Sequence, residues 1–134
     1  LCLGRPASEE IFSQGKLDQR FEVWRDGKPL RIERLKLRGG DPALHAKWGL
    51  LGFPVIGSMV CVTDKKKQID LLRTITNVAI GEEFFSVTQV DGAILCYFLG
   101  NSVERARNCF ISAWKILRPE VIGFEAVEPR IWKT

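Results

Sequence analysis

The side chains that could support acid–base or metal chemistry are scattered through the sequence. The single histidine, His45, has no serine, cysteine or aspartate at a spacing typical of a catalytic set, and Asp41 lies four residues before it. No Gly-x-Ser-x-Gly elbow or phosphate-binding loop occurs. The sequence therefore contains no recognisable self-contained active site. A small hydrolase that uses His45 or a pair of acids is the alternative, because two distant acids can meet in a fold.

The four cysteines do not form a metal-binding pattern. Cys2, Cys61, Cys96 and Cys109 include no Cys-x-x-Cys pair, and one histidine alone is available to complete a zinc set. The last three lie in apolar segments. We expect them to be reduced, buried thiols of a cytosolic protein.

The charge of the chain is mildly basic and evenly spread. A net charge of +4 arises from 20 Lys and Arg against 16 Asp and Glu, with one short basic block at Lys65, Lys66 and Lys67. Nucleic-acid binders usually cluster their cations and interleave aromatics. The even spread of charge here favours an ordinary solvated surface, and a nucleic-acid-binding module is the alternative interpretation. No apolar run is long enough to span a bilayer, and no signal peptide is recognisable. The sequence lacks an initiator methionine, so we expect a piece of a longer chain.

The length and the strand patterns predict one mainly β domain over residues 1–134, with two helices. Alternating residues over Lys16 to Arg25, followed by Asp26-Gly27, predict a hairpin that returns over about Pro29 to Arg38. In the return strand the apolar phase shifts near Glu33-Arg34. A β-bulge there would keep Leu30, Ile32, Leu35 and Leu37 on one face and re-aim Glu33 or Arg34; exposure of both charged residues is the equal alternative.

The middle of the chain predicts a packed loop, a strand and a helix. The connection 38–54 contains several apolar residues and is therefore expected to pack, and Ile56 to Val62 is typical of a buried strand. Asp64 could cap a helix over roughly Lys65 to Ala79.

The last third predicts a second hairpin and the clearest helix. Phe84 to Val90, Asp91-Gly92 and Ala93 to Leu99 are so apolar that burial on both faces is expected. Asn101, paired with Glu104, is predicted to cap a helix that ends at Pro119. Trp114 lies on the apolar stripe of this helix, and Trp132 near the end of the chain should be held against the fold, so both are expected to be packing anchors.

Several segments together resemble one family. They are Leu3–Ala7, Phe12–Gly15, Gln19–Gly27, Ile32–Leu35, Gly39–Pro42, Gly52–Ser58, Trp114–Pro119 and Pro129–Thr134. In this order they are similar to the C-terminal half of the urease accessory protein family UreD, called UreH in some organisms. The resemblance covers essentially the whole chain.

This resemblance implies a fold and a function. It implies a mainly β fold in which strands stack in a β-helix-like assembly, α+β by content. It also implies a cytoplasmic, non-enzymatic protein that binds urease apoprotein and the accessory proteins UreF and UreG, the latter a GTPase, without nucleic-acid or membrane partners. The family delivers nickel to the urease active site and holds it only transiently, with no tightly bound cofactor.

The resemblance also suggests residues along a nickel route. A cation in transit needs weak oxygen or nitrogen ligands, because a tight site would trap it. The family has an acid in the segment that matches Ile32–Leu35, so Glu33 is the first candidate. Glu22, Asp41 and His45 are weaker candidates.

Overall fold

A computed structural model describes residues 1–65, 68–76 and 83–133. Within these ranges the chain forms five strands in two antiparallel sheets, together with two α-helices and short 3₁₀ turns. The predicted fold class, mainly β with two helices and α+β by content, is confirmed.

The first sheet is a two-stranded hairpin. Strand β1 (Lys16–Arg25) pairs antiparallel with β2 (Lys28–Arg38), as predicted. Asp26 and Gly27 form the turn with φ values of 50° and 73°, a left-handed pair that fits the twist of the two strands. Over residues 16–23 and 31–38 the odd-numbered side chains of both strands therefore share one face of this hairpin.

The bulge of the hairpin lies closer to the turn than the sequence indicates. Val23 pairs with Arg31 and Trp24 pairs with Pro29, so that Leu30 is the extra residue. Because a bulge turns two consecutive side chains toward one side, Leu30 can approach Gly92 while Arg31 also faces the second sheet.

The prediction of a bulge at Glu33-Arg34 is thus wrong, since Glu33 pairs regularly with Phe21. Glu33 belongs to the inner face by ordinary strand alternation, whereas Ile32 is on the outer face and is 46% exposed. Ile32 therefore does not share a face with Leu35 and Leu37. The hydrophobic phase shift reflects an exposed isoleucine rather than an irregular strand.

The second sheet has the strand order β3–β5–β4. It contains β3 (Val55–Val62), β4 (Phe84–Val90) and β5 (Ala93–Gly100), all close to their predicted bounds. The central strand β5 is buried over most of its length, but β4 alternates between exposed and buried residues. Burial on both faces was a correct prediction for β5 and a wrong one for β4, because β4 lies at the edge of the sheet.

Helix α1 spans Gln68–Thr76 and helix α2 spans Val103–Ile122. The prediction for α1 ran from Lys65 to Ala79, and Lys66, Lys67 and residues 77–79 lie outside the described residues. The side chain of Asp64, its predicted cap, pairs with Arg25 at the end of the first hairpin strand, with nitrogen–oxygen distances of 2.9 and 3.1 Å.

Both ends of α2 differ from the prediction. Ser102, rather than Asn101, is the N-cap, and its hydroxyl accepts the backbone N–H of Arg105 at 3.2 Å. The proposed Asn101–Glu104 pair is therefore out of step by one residue. The helix also continues through Pro119 to Ile122. Pro119 lacks an N–H, but its carbonyl accepts the backbone N–H of Gly123 at 2.9 Å, and Gly123 in a left-handed conformation ends the helix.

Two hydrophobic clusters hold the fold together. The helix-covered core lies between the second sheet and the helices; its fully buried members include Leu72, Ile94, Phe98 and Ala113. Gly57 in β3 permits this contact, since a Cβ there would lie 2.5 Å from the Phe110 ring.

The smaller hairpin core consists of Leu3, Leu37 and Leu44, with partly buried neighbours such as Leu35 and Ile56. Leu44 lies in the connection 38–54, which therefore packs as predicted. Trp48 in the same connection does not, because it is 78% exposed.

Candidate functional site

A groove of about 690 Å³ lies between the hairpin and the second sheet. Phe21, Glu33 and Leu35 line it on the hairpin side. Ser58 and Tyr97 of the second sheet and Phe110 of helix α2 line the opposite side. The hairpin residues reach the groove because they occupy the odd positions of the inner face. Glu33, the first candidate from the sequence, is thus placed in a cleft rather than on an open surface.

Glu33 and Tyr97 line the groove, and Arg31 contacts both of them; we call these three residues the Glu33 cluster. The Tyr97 hydroxyl donates to Glu33 Oε1 at 3.0 Å, and the Arg31 guanidinium forms an ion pair with the same carboxylate oxygen. The guanidinium carbon also lies 4.8 Å from the centroid of the Tyr97 ring, a cation–π distance. The cluster therefore links β2 to β5 through one carboxylate.

The Glu33 cluster is only partly satisfied by hydrogen bonds. The side chains of Arg31 and Glu33 are 20% and 27% exposed, so both are largely withdrawn from water. Arg31 Nε is buried and has no hydrogen-bond partner among the described residues. Both described contacts of the carboxylate converge on Oε1, which leaves Oε2 without a described donor.

Sequence reasoning missed Arg31 and Tyr97. Arg31 is two residues before Glu33, and that spacing places two strand residues on the same face. Tyr97 is the one tyrosine of the chain and lies within an apolar strand. A largely buried tyrosine usually needs a partner for its hydroxyl, and that is the signal that could have found the cluster.

Glu22 does not share the groove. It pairs with Ile32 on the outer face, where its carboxylate accepts from Trp24 Nε1 at 3.0 Å and pairs with Arg20. The hydrogen bond from Trp24 lowers the pKa of Glu22 most, and the contact with Arg20 lowers it further. Glu22 and Glu33 thus lie on opposite faces of the hairpin and cannot hold the same ion directly.

Asp41 and His45 also lie away from the Glu33 cluster. The Asp41 carboxylate accepts the backbone N–H of Ala43 at 2.8 Å and caps the 3₁₀ turn Pro42–Leu44. His45 lines a second, more apolar cavity of about 450 Å³, together with Phe12 and Phe53. The four candidate residues therefore do not meet at one site.

Across residues 1–65, 68–76 and 83–133, no three His, Cys, Asp or Glu side chains are grouped so that they could hold a metal ion. The four cysteines are free thiols; Cys96 and Cys109 are buried, Cys61 is half-buried and Cys2 is exposed. Burial raises the pKa of the Cys96 thiol to about 12 and also raises the pKa of Cys61 and Cys109. Such thiols are poor nucleophiles and poor metal ligands near neutral pH.

The basic block and the helices give no further site in the described part of the chain. The Lys65 ammonium donates to the backbone carbonyl of Glu120, and the other two lysines of the block lie outside the described residues. Neither described helix combines the length and the apolar character that a bilayer span requires.

The two tryptophans predicted as anchors contact each other. The rings of Trp114 and Trp132 meet edge to face with centroids 5.0 Å apart, and Arg118 lies over the Trp114 ring at 5.3 Å. Both rings are half-buried rather than fully enclosed. Their contribution to stability stays a prediction.

Comparisons with known proteins agree along nearly the whole chain. The family described as UreD urease accessory protein matches residues 1–133. A protein of Brucella anthropi named urease accessory protein UreD 2 is 36% identical over 136 residues, which cover 100% of this chain and 49% of the relative. UreD proteins of Nitrosococcus oceani and Dechloromonas aromatica are 37% and 38% identical, each over 100% of this chain and over 45% and 48% of their own lengths.

The chain belongs to the UreD urease accessory protein family, and it spans about half the length of the curated relatives it matches.

Proposed function

We propose that this chain acts as part of a non-enzymatic scaffold in urease maturation. In this proposal a protein of the relatives' full length binds urease apoprotein and the accessory proteins UreF and UreG. It helps to deliver nickel to the urease active site. The family match over residues 1–133 is the observation that carries the proposal. A cytoplasmic location is part of it, supported by the four free thiols.

The Glu33 cluster supports a role in guiding a cation. Glu33 brings a carboxylate into a groove that is accessible from solvent, and Oε2 has no described hydrogen bond. Oxygen ligands from one carboxylate bind a borderline divalent cation only weakly, which suits passage better than storage. Glu33 therefore remains the first candidate for contact with nickel.

The other candidates receive less support. Glu22 faces away from the groove, Asp41 is used as a cap, and His45 lies in a separate cavity. A route through the groove would leave all three aside. They stay candidates only for a path that crosses another part of the full-length protein.

The scaffold part of the proposal is tested by copurification. A full-length protein containing residues 1–134 should copurify with UreF and with urease apoprotein when all are expressed together. Absence of both partners from the purified material, with the protein itself folded, would refute the scaffold role.

The nickel part is tested by Glu33→Gln in the same complete system. This substitution removes the charge and retains an oxygen that can accept from Tyr97, so the fold should survive. Urease nickel content should fall, whereas Glu22→Gln, the matched change on the outer face, should leave it at the parental level. Equal nickel contents for Glu33→Gln and the parent would exclude Glu33 from the route.

A further inference from the structure

We propose that the outer face of the first hairpin is a docking surface for an acidic surface of a protein partner in urease maturation. The outer face comprises the even-numbered positions of 16–22 and 32–38, which strand alternation places opposite the inner face, together with Trp24. This inference rests on the proposed function, because the partners it concerns are those of the proposed scaffold.

The outer face carries most of the net positive charge of the chain. Five cations against two acids give this face a charge of +3, whereas the whole chain has +4. In the sequence these cations alternate with other residue types, and the pairing of the two strands brings them to one side. The five cations are all exposed: Lys16, Arg20, Arg34, which also borders the groove, Lys36 and Arg38.

Two directly opposite pairs on the outer face have like charges. Lys16 is the cross-strand partner of Arg38, and Arg20 is the cross-strand partner of Arg34. Like charges in directly opposite positions destabilise a sheet. In the described part of the chain, Lys16 and Arg38 form no ion pair. Carboxylates of a second protein would relieve this repulsion, so the charge pattern favours an acidic partner.

Two acids are interleaved with the cations of the outer face. Asp18 forms an ion pair with Lys36 at 3.4 Å, and Glu22 forms one with Arg20. A phosphate backbone carries negative charge continuously along its length, so a nucleic acid would meet the two acids as well as the cations. A protein surface can place its carboxylates against the cations alone, and it therefore fits this face better.

The end of the outer face near the turn is apolar. Trp24 and Ile32 lie there and are 53% and 46% exposed. Trp24 Nε1 donates to the Glu22 carboxylate at 3.0 Å, which holds the indole on the outer side. Tryptophan and arginine are among the residue types that most often dominate the binding energy of protein interfaces. Trp24 is therefore the expected anchor of the contact, and the cations provide orientation and a fast association.

Other occupants fit the outer face less well. A two-fold contact between two copies of the chain would bring the same face of each copy together, so that cations would oppose cations. Permanent cover by another part of the same protein would remove several charges from water, which is costly unless each charge is paired. Permanent interfaces are also more hydrophobic than this face, which suits a partner that binds and leaves.

Copurification with a charge-reversed full-length protein tests the docking surface. Lys16→Glu/Arg38→Glu changes the charge of the face from +3 to −1 and retains a like-charge cross-strand pair, so the stability of the hairpin should change little. After co-expression with UreF, UreG and urease apoprotein, the recovery of one of these partners should fall at least about tenfold relative to the parent. Lys47→Glu/Arg130→Glu makes the same charge change at exposed cations outside the hairpin and should leave recovery at the parental level.

The anchor and the salt dependence give two further measurements. Biolayer interferometry with the partner so identified measures its affinity for the full-length protein. Trp24→Ala should weaken this affinity about thirtyfold, the loss typical of an interface anchor. A rise from about 0.05 M to about 0.5 M salt should weaken the binding of the parent, because salt screens exposed charges.

Four outcomes would overturn the docking surface. Two of them are undiminished recovery of all three partners by Lys16→Glu/Arg38→Glu and an equal loss in Lys47→Glu/Arg130→Glu. Binding of a DNA or RNA oligonucleotide by the parent that the hairpin variant abolishes would assign the face to nucleic acid. A dimer of the parent that the hairpin variant dissociates would assign the face to a second copy.

A thermal melt checks the fold of each variant. If Lys16→Glu/Arg38→Glu fails to fold, Lys16→Gln/Arg38→Gln removes the two cations without adding acids and should also lower the recovery of one partner. Parental recovery of all three partners by that folded variant would overturn the docking surface in the same way.

Failure of the docking surface and failure of the proposed function give different results. If the docking surface is wrong, the parent and the hairpin variant recover the same partners in the same amounts. If the proposed function is wrong, the parent itself recovers neither UreF nor urease apoprotein, and the docking surface falls with it. Loss of one partner from the hairpin variant alone supports both.

Discussion

The second sheet and the first hairpin are held in place by different forces. The central strand β5 is buried along most of its length beneath α2, and Phe98 and Ile94 are almost completely withdrawn from solvent. Across the strands Lys16–Arg25 and Lys28–Arg38, by contrast, Leu37 is the one fully buried side chain. The hairpin is joined to the second sheet partly by polar contacts, Arg25 with Asp64 and Glu33 with Tyr97.

This difference explains where the groove lies. Burial of apolar surface stabilises a fold by roughly 25 cal/mol per Å². Buried apolar side chains are concentrated between β5 and α2. Between the sheets the packing is incomplete, and polar side chains border the remaining space. The site therefore lies at the junction between the two sheets, where close packing is incomplete.

The largest effect should come from the central strand. Phe98→Ala removes a ring that is 1% exposed and should lower the free energy of unfolding by about 3–5 kcal/mol. Phe21→Ala is the matched change in the hairpin, where the ring is 39% exposed, and should lower it by less than about 1 kcal/mol. Denaturant unfolding of both variants measures the contrast. Similar losses of unfolding free energy in the two variants would contradict the difference between the second sheet and the hairpin.

An intermediate effect is expected at the outer side of α2. Trp114 is half-buried and packs against Trp132, so Trp114→Ala should lower the unfolding free energy by about 2–3 kcal/mol, less than a fully enclosed tryptophan. A double-mutant cycle with Trp132→Ala should give a coupling of about 1 kcal/mol, the usual value for an edge-to-face pair. Additive losses would show that the end of the chain does not stabilise the helix.

The elements with a regular apolar pattern could be predicted from the sequence. The prediction of both hairpins is confirmed, because Asp26-Gly27 and Asp91-Gly92 specify tight turns between alternating or apolar segments. The bulge and the helix cap were misplaced by a few residues. An exposed Ile32 imitates a phase shift, and Ser102 and Asn101 are adjacent residues with nearly equal capping ability.

The candidate site could be predicted only in part. The family segment pointed to Glu33, and the structure places that side chain in the groove. Its partner Tyr97 is 64 residues away in the sequence, and no local pattern reports a contact between two separate sheets. Glu22, a weaker candidate from another matching segment, lies on the opposite face by strand alternation.

The smallest expected effect concerns the junction between the two regions. The Arg25 guanidinium donates to both oxygens of Asp64, but the two side chains are 43% and 67% exposed, so water and salt screen the pair. Arg25→Gln should therefore change the unfolding midpoint only slightly. Its effect should be local, because it releases the tip of the hairpin from the segment that follows β3.

Amide hydrogen exchange can detect such a local effect. In Arg25→Gln, exchange should become faster in Lys16–Arg25 and Lys28–Arg38, while Ala93–Gly100 stays at the parental rate, since the helix-covered core is untouched. The same acceleration should appear in the parent at about 1 M salt, where the Debye length is about 3 Å. Arg20→Gln, on the outer face of the same strand, is the control that should leave the junction closed. Faster exchange in both sheets together would mean that the hairpin and the second sheet open as one unit. The groove would then lie within a single cooperative core rather than at a boundary between two.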